Sequence, residues 1–359
     1  MNRKMQQFIA KGKDIFIGLE DSKKTWKLCV RSEKMVIHET SMPAEYNVLL
    51  SYLKNKFPDC KITVMYEAGF KGFNLYDRLV ENKHECVVLP PHLMVEPKVN
   101  RVKTDKRDAR KLAKMLENGD YRSCYVPDKE RREDRQICRT LNGIEKEIKS
   151  FRNRIRKLLQ YHGIEAGVPV KQFWNKGDFK GLSKLELGSS LKISLAALLK
   201  ELDGVWETQL ALRGEMRKLS KKPRYEKAFK IARSLPGVGW LTAIRFVLEL
   251  GEDFTRFTTS KSIANFLGLT GSEDSTGETV HKGRITKMGN NFLRAWLIES
   301  AWVGIRKDPV LLDIFKRVQL NSGSKKKAIV AVARKLAIRL RSCMVNGVEY
   351  EVGLVEVVR

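Results

Sequence analysis

The chain offers little soft-metal chemistry. Its six cysteines, Cys29, Cys60, Cys86, Cys124, Cys138 and Cys343, include no C-x-x-C pair, and no histidine lies at zinc spacing from any of them. A finger- or ribbon-type zinc site is therefore not expected, and free thiols in a reducing compartment are. Long apolar runs are also missing. No stretch reaches the roughly 18 consecutive apolar residues needed to span a bilayer. The N-terminal MNRKMQQFIAKGKDIF lacks the apolar core of a secretory signal. The expectation is a cytoplasmic protein with no membrane partner, because no basic amphipathic tail stands alone either. Acidic residues are in deficit: 42 Asp and Glu face 69 Lys and Arg across 359 residues, a formal net charge of +27. Such an excess points to a polyanion, and nucleic acid is the expected partner. Hydrophobic residues make up 42% of the chain, enough for real cores and against wholesale disorder. The length allows two or three domains.

Against that cationic background, four carboxylates stand out by position. Glu20 ends the apolar run Ile15-Phe16-Ile17-Gly18-Leu19, and Glu67 ends Ile62-Thr63-Val64-Met65-Tyr66. Asp105 and Asp108 open the helix-like stretch KTDKRDARKLAKML, three residues apart and so on one helical face. Carboxylate oxygens are the hard ligands that magnesium prefers. If the four converge, two magnesium ions roughly 4 Å apart would activate an attacking oxygen and stabilise a leaving one at a phosphodiester. Spacing alone also allows four unrelated surface acids. Asp21 adjoins Glu20, and strand alternation lets only one of the two face such a site.

Residues 14–125 read as α/β. The pattern predicts strands over 14–20, 25–31, 34–40, 61–67 and 86–89, with helical spacing over 45–57 and 73–82. A three-strand meander followed by alternating helices and strands gives a mixed sheet, the plan of a ribonuclease-H-like fold. Residues 129–221 change character. Ile137, Leu141, Ile144, Ile148, Phe151, Ile155 and Leu158 form one heptad seam, and Leu198, Leu202, Val205, Gln209, Leu212, Met216 and Leu219 a second. A Gly-containing connector joins them. A helical hairpin within one chain and an oligomerising coiled coil both fit, and the length of the seams favours the latter.

Residues 222–359 read as mainly helical. In Leu235-Pro236-Gly237-Val238-Gly239-Trp240, two glycines flank one apolar residue between helical runs, as in the turn of a helix-hairpin-helix. Gly237 and Gly239 would let the backbone turn and present N–H groups to a phosphate, although a plain tight turn also fits. Farther on, Gly271-Ser272-Glu273-Asp274-Ser275-Thr276-Gly277-Glu278 precedes a basic segment containing Lys282, Arg284 and Lys287. A hydroxyl on a Gly-flanked loop beside cations could attack phosphorus, though Ser and Thr beside Gly are most often turn residues. Lys282, Arg284 and Lys287 are expected at phosphates.

Taken together, these segments resemble the DEDD-type transposases of insertion sequences, described as bridge-RNA-guided serine recombinases. IGLEDSKKTW resembles the family's G-[IL]-D-x-x-K-K-x-W, YEAGFKGFNLYDRL its Glu-bearing strand end, and VKTDKRDARKLA its K-T-D-x-x-D-A-x-x-L-A helix. The region from LPGVGW to NNFLRAWLIESAW resembles its second region, and KKKAIVAVARKLA its final helix. The resemblance implies a RuvC-like DEDD domain over 1–125, a coiled-coil arm over 126–221 and a helical transposase domain over 222–359. By position it implies a tetrad of Glu20, Glu67, Asp105 and Asp108 holding Mg2+, with Lys103 at nucleic acid. Glu20 stands where the family has Asp. The resemblance further implies a serine nucleophile. The residue directly before the Gly of the S-G pair is Thr276, and the adjacent Ser275 is taken because a primary hydroxyl suits reversible phosphodiester exchange. Implied partners are double-stranded DNA, a guide (bridge) RNA and other copies of the chain, as a homodimer assembling to a tetramer. A hydrolytic junction nuclease using the same acids, and a non-catalytic nucleic-acid-binding descendant, are the competing classes.

Overall fold

Ile15, Ile17 and Leu19 alternate along one strand and are all fully buried, so this strand sits at the centre of its domain. The structure is a computed structural model and describes residues 12–91, 104–164, 174, 176–276 and 279–353. Strands β1 (Asp14–Asp21), β2 (Thr25–Ser32) and β3 (Met35–Pro43) form an antiparallel meander. Helix α1 (Tyr46–Lys56) then returns the chain to β4 (Lys61–Glu67), which pairs parallel with β1. Helix α2 (Asn74–Glu81) leads to β5 (Glu85–Leu89), parallel to β4. The five-stranded mixed sheet runs β3-β2-β1-β4-β5, compatible with a ribonuclease-H-like fold.

Each face of the sheet has its own cover. Ile15, Ile17, Leu19, Val64 and Tyr66 pack with Leu49 and Leu53 of α1 and with Leu75 and Leu79 of α2. On the other face, helix α3 (Asp105–Asn118) brings Leu112 and Leu116 onto Phe16, Met65 and Leu89, and sets Ala109 and Ala113 against Cys29.

The chain divides into two compact units, Met1–Val126 and Pro127–Arg359. Among the described residues, the second is helical apart from one β-ribbon. It opens with α4 (Lys129–Tyr161), followed by short α5 (Lys176–Ser183) and by α6 (Ser189–Ser220). Both seams read from the sequence lie on α4 and α6, and the two helices pack on each other. Ile148, Ile155 and Leu159 meet Leu195, Leu199 and Leu202 in one cluster. At the other end, Cys138 and Leu141 join Met216 and Leu219. Much of each seam is thus covered within the chain, and the seams alone require no partner copy.

Helices α7 (Pro223–Ser234), α8 (Trp240–Leu250), α9 (Ser260–Phe266), α10 (Asn291–Gly304), α11 (Pro309–Ser322) and α12 (Lys325–Asn346) complete the unit. They pack around Phe246, Leu293, Leu297, Val332 and Leu336. The segment expected as a Gly-flanked loop is instead strand β6 (Gly271–Thr276), antiparallel to β7 (Thr279–Ile285). Regions 126–221 and 222–359, separated by sequence, lie within this one unit apart from residue 126. Among the described residues no helix is long and apolar enough to cross a membrane.

Candidate active site

The position of α3 decides which acids share a face. A side chain at Gly18 would collide with helix backbone, its Cβ falling 2.1 Å from the Ala109 carbonyl oxygen and 2.3 Å from the Ala113 nitrogen. Only a glycine lets α3 lie this close to β1. Ion pairs fix the helix along its length. Arg31 Nε meets Glu117 Oε2 at 2.6 Å near the helix C-terminus, while Arg110 and Lys106 both reach Glu39 of β3. Arg31 lies opposite Phe16, at the start of β1. Helix α3 therefore runs against β1, and its first turn, carrying Asp105 and Asp108, lies toward the strand's C-terminal end. Acids in a helix's first turn also complement the positive end of its dipole.

Strand alternation supplies the other two acids. Phe16 and Gly18 face α3, so Glu20, two residues on, belongs to the same face. In the parallel register Gly18 lies beside Met65, which also packs on α3, so Glu67 shares that face at the same end of the sheet. Asp108 is buried, whereas Asp105 is exposed at the helix start. Asp21 is committed elsewhere. It accepts a hydrogen bond from Trp26 Nε1 at 2.7 Å and pairs with Lys71 Nζ at 2.8 Å, and that ammonium lies 4.9 Å from the centre of the Trp26 ring.

Glu20, Glu67, Asp105 and Asp108 thus lie on one face toward one end of the sheet. Their oxygen-only donor set suits a hard divalent cation. As placed, however, no three His, Cys, Asp or Glu side chains among the described residues are drawn together closely enough to hold an ion.

In the second unit, Ser275 pairs with Val280 and Thr276 with Thr279 across the β6–β7 ribbon. Lys282 lies on β7 opposite Glu273. Arg284 and Lys287 are exposed, at the end of β7 and just beyond it. Lys103 lies outside the described residues.

The base of the ribbon is built tightly. Gly268 and Gly289 both have positive φ, and a Cβ on Gly289 would come within 2.2 Å of the Phe266 carbonyl oxygen. Arg294, buried on α10, donates from Nη1 to the Leu267 carbonyl at 2.9 Å and to the Lys287 carbonyl at 3.2 Å, tying the incoming and outgoing chains. Sequence reading missed Arg294, although an arginine inside the apolar run FLRAWL was a signal of a buried polar role. It also missed Lys71 and the docking role of Gly18.

The turn between α7 and α8 separates its two glycines. Gly237 has φ +84° and its Cβ position lies 2.1 Å from the Ser300 carbonyl oxygen, so close packing on α10 accounts for it. Gly239 is the N-cap of α8 and has open space around its Cβ position.

A mixed sheet flanked by helices, with acids on one face near the ends of its central strands, is compatible with an enzyme that processes phosphodiesters with a divalent metal. Comparison with known proteins narrows the class. Residues 17–163 match the DEDD transposase family of the IS110 type, and residues 230–316 match the family described as Transposase IS116/IS110/IS902 family. The chain is 29% identical over 300 residues to the putative transposase y4qE of Sinorhizobium fredii, covering 76% of this chain and 72% of that one. It is 24% identical over 360 residues to the transposase for insertion sequence element IS1111A of Coxiella burnetii, covering 95% and 93%. A shorter likeness, 28% over 116 residues, links it to the pilin gene-inverting protein of Moraxella bovis, over 32% of this chain and 36% of that protein. The chain belongs to the IS110 family of transposases, and its business is DNA transposition.

Proposed function

We propose that this transposase excises and inserts an insertion sequence by strand exchange through a phosphoserine, with a bridge RNA choosing the sites and homodimers pairing into a tetramer. The observation that carries the reading is the sharing of one face by Glu20, Glu67, Asp105 and Asp108. The family matches cover this acidic region and the ribbon bearing Ser275. The Oγ of Ser275 attacks a DNA phosphorus, forming an O–P bond as the bond to one DNA oxygen breaks. The hydroxyl proton leaves with that oxygen. A hydroxyl of the exchanged strand then attacks the phosphoserine, restores a phosphodiester and returns the proton to Ser275, so the bond energy is conserved throughout. Magnesium held by Glu20, Glu67, Asp105 and Asp108 would supply Lewis-acid charge for the developing oxyanions. Glu20 carries one methylene more than the family's aspartate, so its carboxylate reaches farther from the strand. Arg284, Lys282, Lys287 and the α8 N-terminus at Gly239 hold phosphates, and Lys103 contacts nucleic acid. Gly237 serves only by setting the turn.

A denaturing-gel trapping assay with labelled element-end DNA, magnesium and co-purified RNA tests this. Wild type is expected to give a covalent protein–DNA band that Ser275→Ala and Asp105→Ala abolish and Thr276→Ala leaves in place. Cleavage without a covalent band, surviving both hydroxyl replacements, would instead establish a hydrolytic nuclease.

A further inference from the structure

Helices α11 and α12 form an antiparallel hairpin, turned by Gly323 in the left-handed region and capped by Ser324, whose hydroxyl accepts from the Lys327 amide. A groove of about 480 Å³ runs between them. Ile314 and Ile338 are among its apolar lining, and Arg317, Arg334 and Lys335 among its charged lining. The spacing Val310, Asp313, Ile314, Arg317 on α11 and Ala331, Arg334, Lys335, Ile338 on α12 places one helical stripe of each along the groove.

The charge there is one-sided. From Pro309 to Asn346 the sequence holds nine Lys and Arg and one acid, Asp313. Arg339, at the groove's back, is neutralised by Asp308 at 3.0 Å. Among the described residues neither Arg317 nor Arg334 has a hydrogen bond or ion pair. Lys325, Lys326 and Lys327 crowd the first turn of α12, the positive end of its dipole, where cations repel it. Two unmatched guanidiniums and this repulsion ask for an anionic partner with repeated charges. The groove lining contains no Phe, Tyr or Trp, so it lacks the stacking platform on which single strands and unpaired RNA bases are read. What remains is readout of a backbone whose bases are turned inward.

We propose that the α11–α12 groove seats the sugar–phosphate backbone of duplex DNA, with Arg317 and Arg334 each on a phosphate. This rests on the reading of the chain as a DNA-handling transposase. It adds a surface beyond the acidic face and the β6–β7 ribbon.

The test is fluorescence anisotropy of the full chain with a labelled DNA duplex, in EDTA so that binding is read without cleavage. Wild type, Arg317→Gln and the double variant Arg317→Gln/Arg334→Gln are titrated across salt. Removing one arginine–phosphate pair lowers the slope of log affinity against log salt by about 0.9, roughly tenfold in affinity at 0.1 M salt. The single variant is expected to fall by about one such step and the double variant by about two, with circular dichroism unchanged. An unchanged slope in the double variant, while wild type binds, overturns the groove alone. Failure of wild type to bind DNA at any salt overturns the DNA reading and the groove with it. Two further outcomes also overturn it. One is a drop in mass by light scattering in the double variant, which makes the groove an interface between copies. The other is an RNA duplex that competes better than DNA in wild type but not in the double variant, which assigns the groove to RNA.

Discussion

At Gly18, a single hydrogen atom in place of a side chain decides where α3 lies. The helix backbone passes within 2.3 Å of where a Cβ would be, at two separate atoms. Backbone cannot swing aside as a flexible side chain can, so Gly18→Ala must lift α3 or bend β1. Overpacking of this kind costs about 1–3 kcal/mol, and the lifted helix carries Asp105 and Asp108 away from Glu20 and Glu67. The expected result is an earlier urea midpoint, together with a loss of the proposed strand transfer larger than the unfolded fraction explains. A variant that unfolds and reacts as wild type does would show that α3 is not held by this close approach. The same residue explains what the sequence could and could not say about the acids. Glu20 and Asp21 were both legible as acids at a strand end, but period-two alternation only states that they differ in face. The choice belongs to α3, which docks on the Gly18 face, and to Trp26 and Lys71, which occupy Asp21 on the other.

At the scale of elements, α4 begins with a charged knot. Asp128 is its N-cap and accepts from the Arg131 amide at 3.0 Å. Arg224 of α7 grips the same carboxylate through both terminal nitrogens, and reaches Glu252 Oε1 at 2.6 Å. The Arg224 guanidinium, helped by the Arg131 amide and opposed by partial burial, holds the Asp128 carboxyl well below its ordinary value. A carboxyl depressed in the folded state contributes stability above the usual carboxylate pKa of about 4, and loses it as pH falls below that value. Asp128 is half exposed, so screening keeps the contribution small. Asp128→Asn should therefore be less stable than wild type at neutral pH, and the gap should narrow across the window that opens below about pH 5 and runs down to the depressed folded value. Parallel unfolding curves across that window would remove the knot from the stability of α4. Elements also differ in how plainly they announce themselves. The strands and helices of the first unit carry strong apolar alternation or helical spacing, and so do α4 and α6. The two seams, however, cannot say whether each finds the other or a second copy, because Leu and Ile pack equally well on either. The β6–β7 ribbon was invisible for a different reason. Gly271-Ser272-Glu273-Asp274-Ser275-Thr276 has no apolar face to alternate, and its pairing is specified instead by Arg294 and by the glycines at its base.

Across the whole molecule, charge and the acids proposed as catalytic are segregated. Residues 1–126 hold 24 Lys and Arg against 16 Asp and Glu, a net +8, and include all four tetrad acids. Residues 127–359 hold 45 against 26, a net +19. The composition signalled a polyanion partner, but the sum of +27 could not show that most of the excess belongs to one unit. Counterion release scales with the phosphates neutralised, so the steep part of salt-dependent DNA binding is expected to belong to the second unit. The first unit has helices on both faces of its sheet and a core of its own, so it has what a domain needs to fold alone. A fragment spanning residues 1–126 is accordingly expected to unfold in urea in one cooperative transition. It is also expected to bind duplex DNA weakly, with a salt slope less than half that of the full chain. A fragment with no cooperative transition would mean that the α/β unit depends on residues after Val126. A folded fragment with the full chain's salt slope would mean that the phosphates are held by the α/β unit, and that the cationic excess of the helical unit serves another partner.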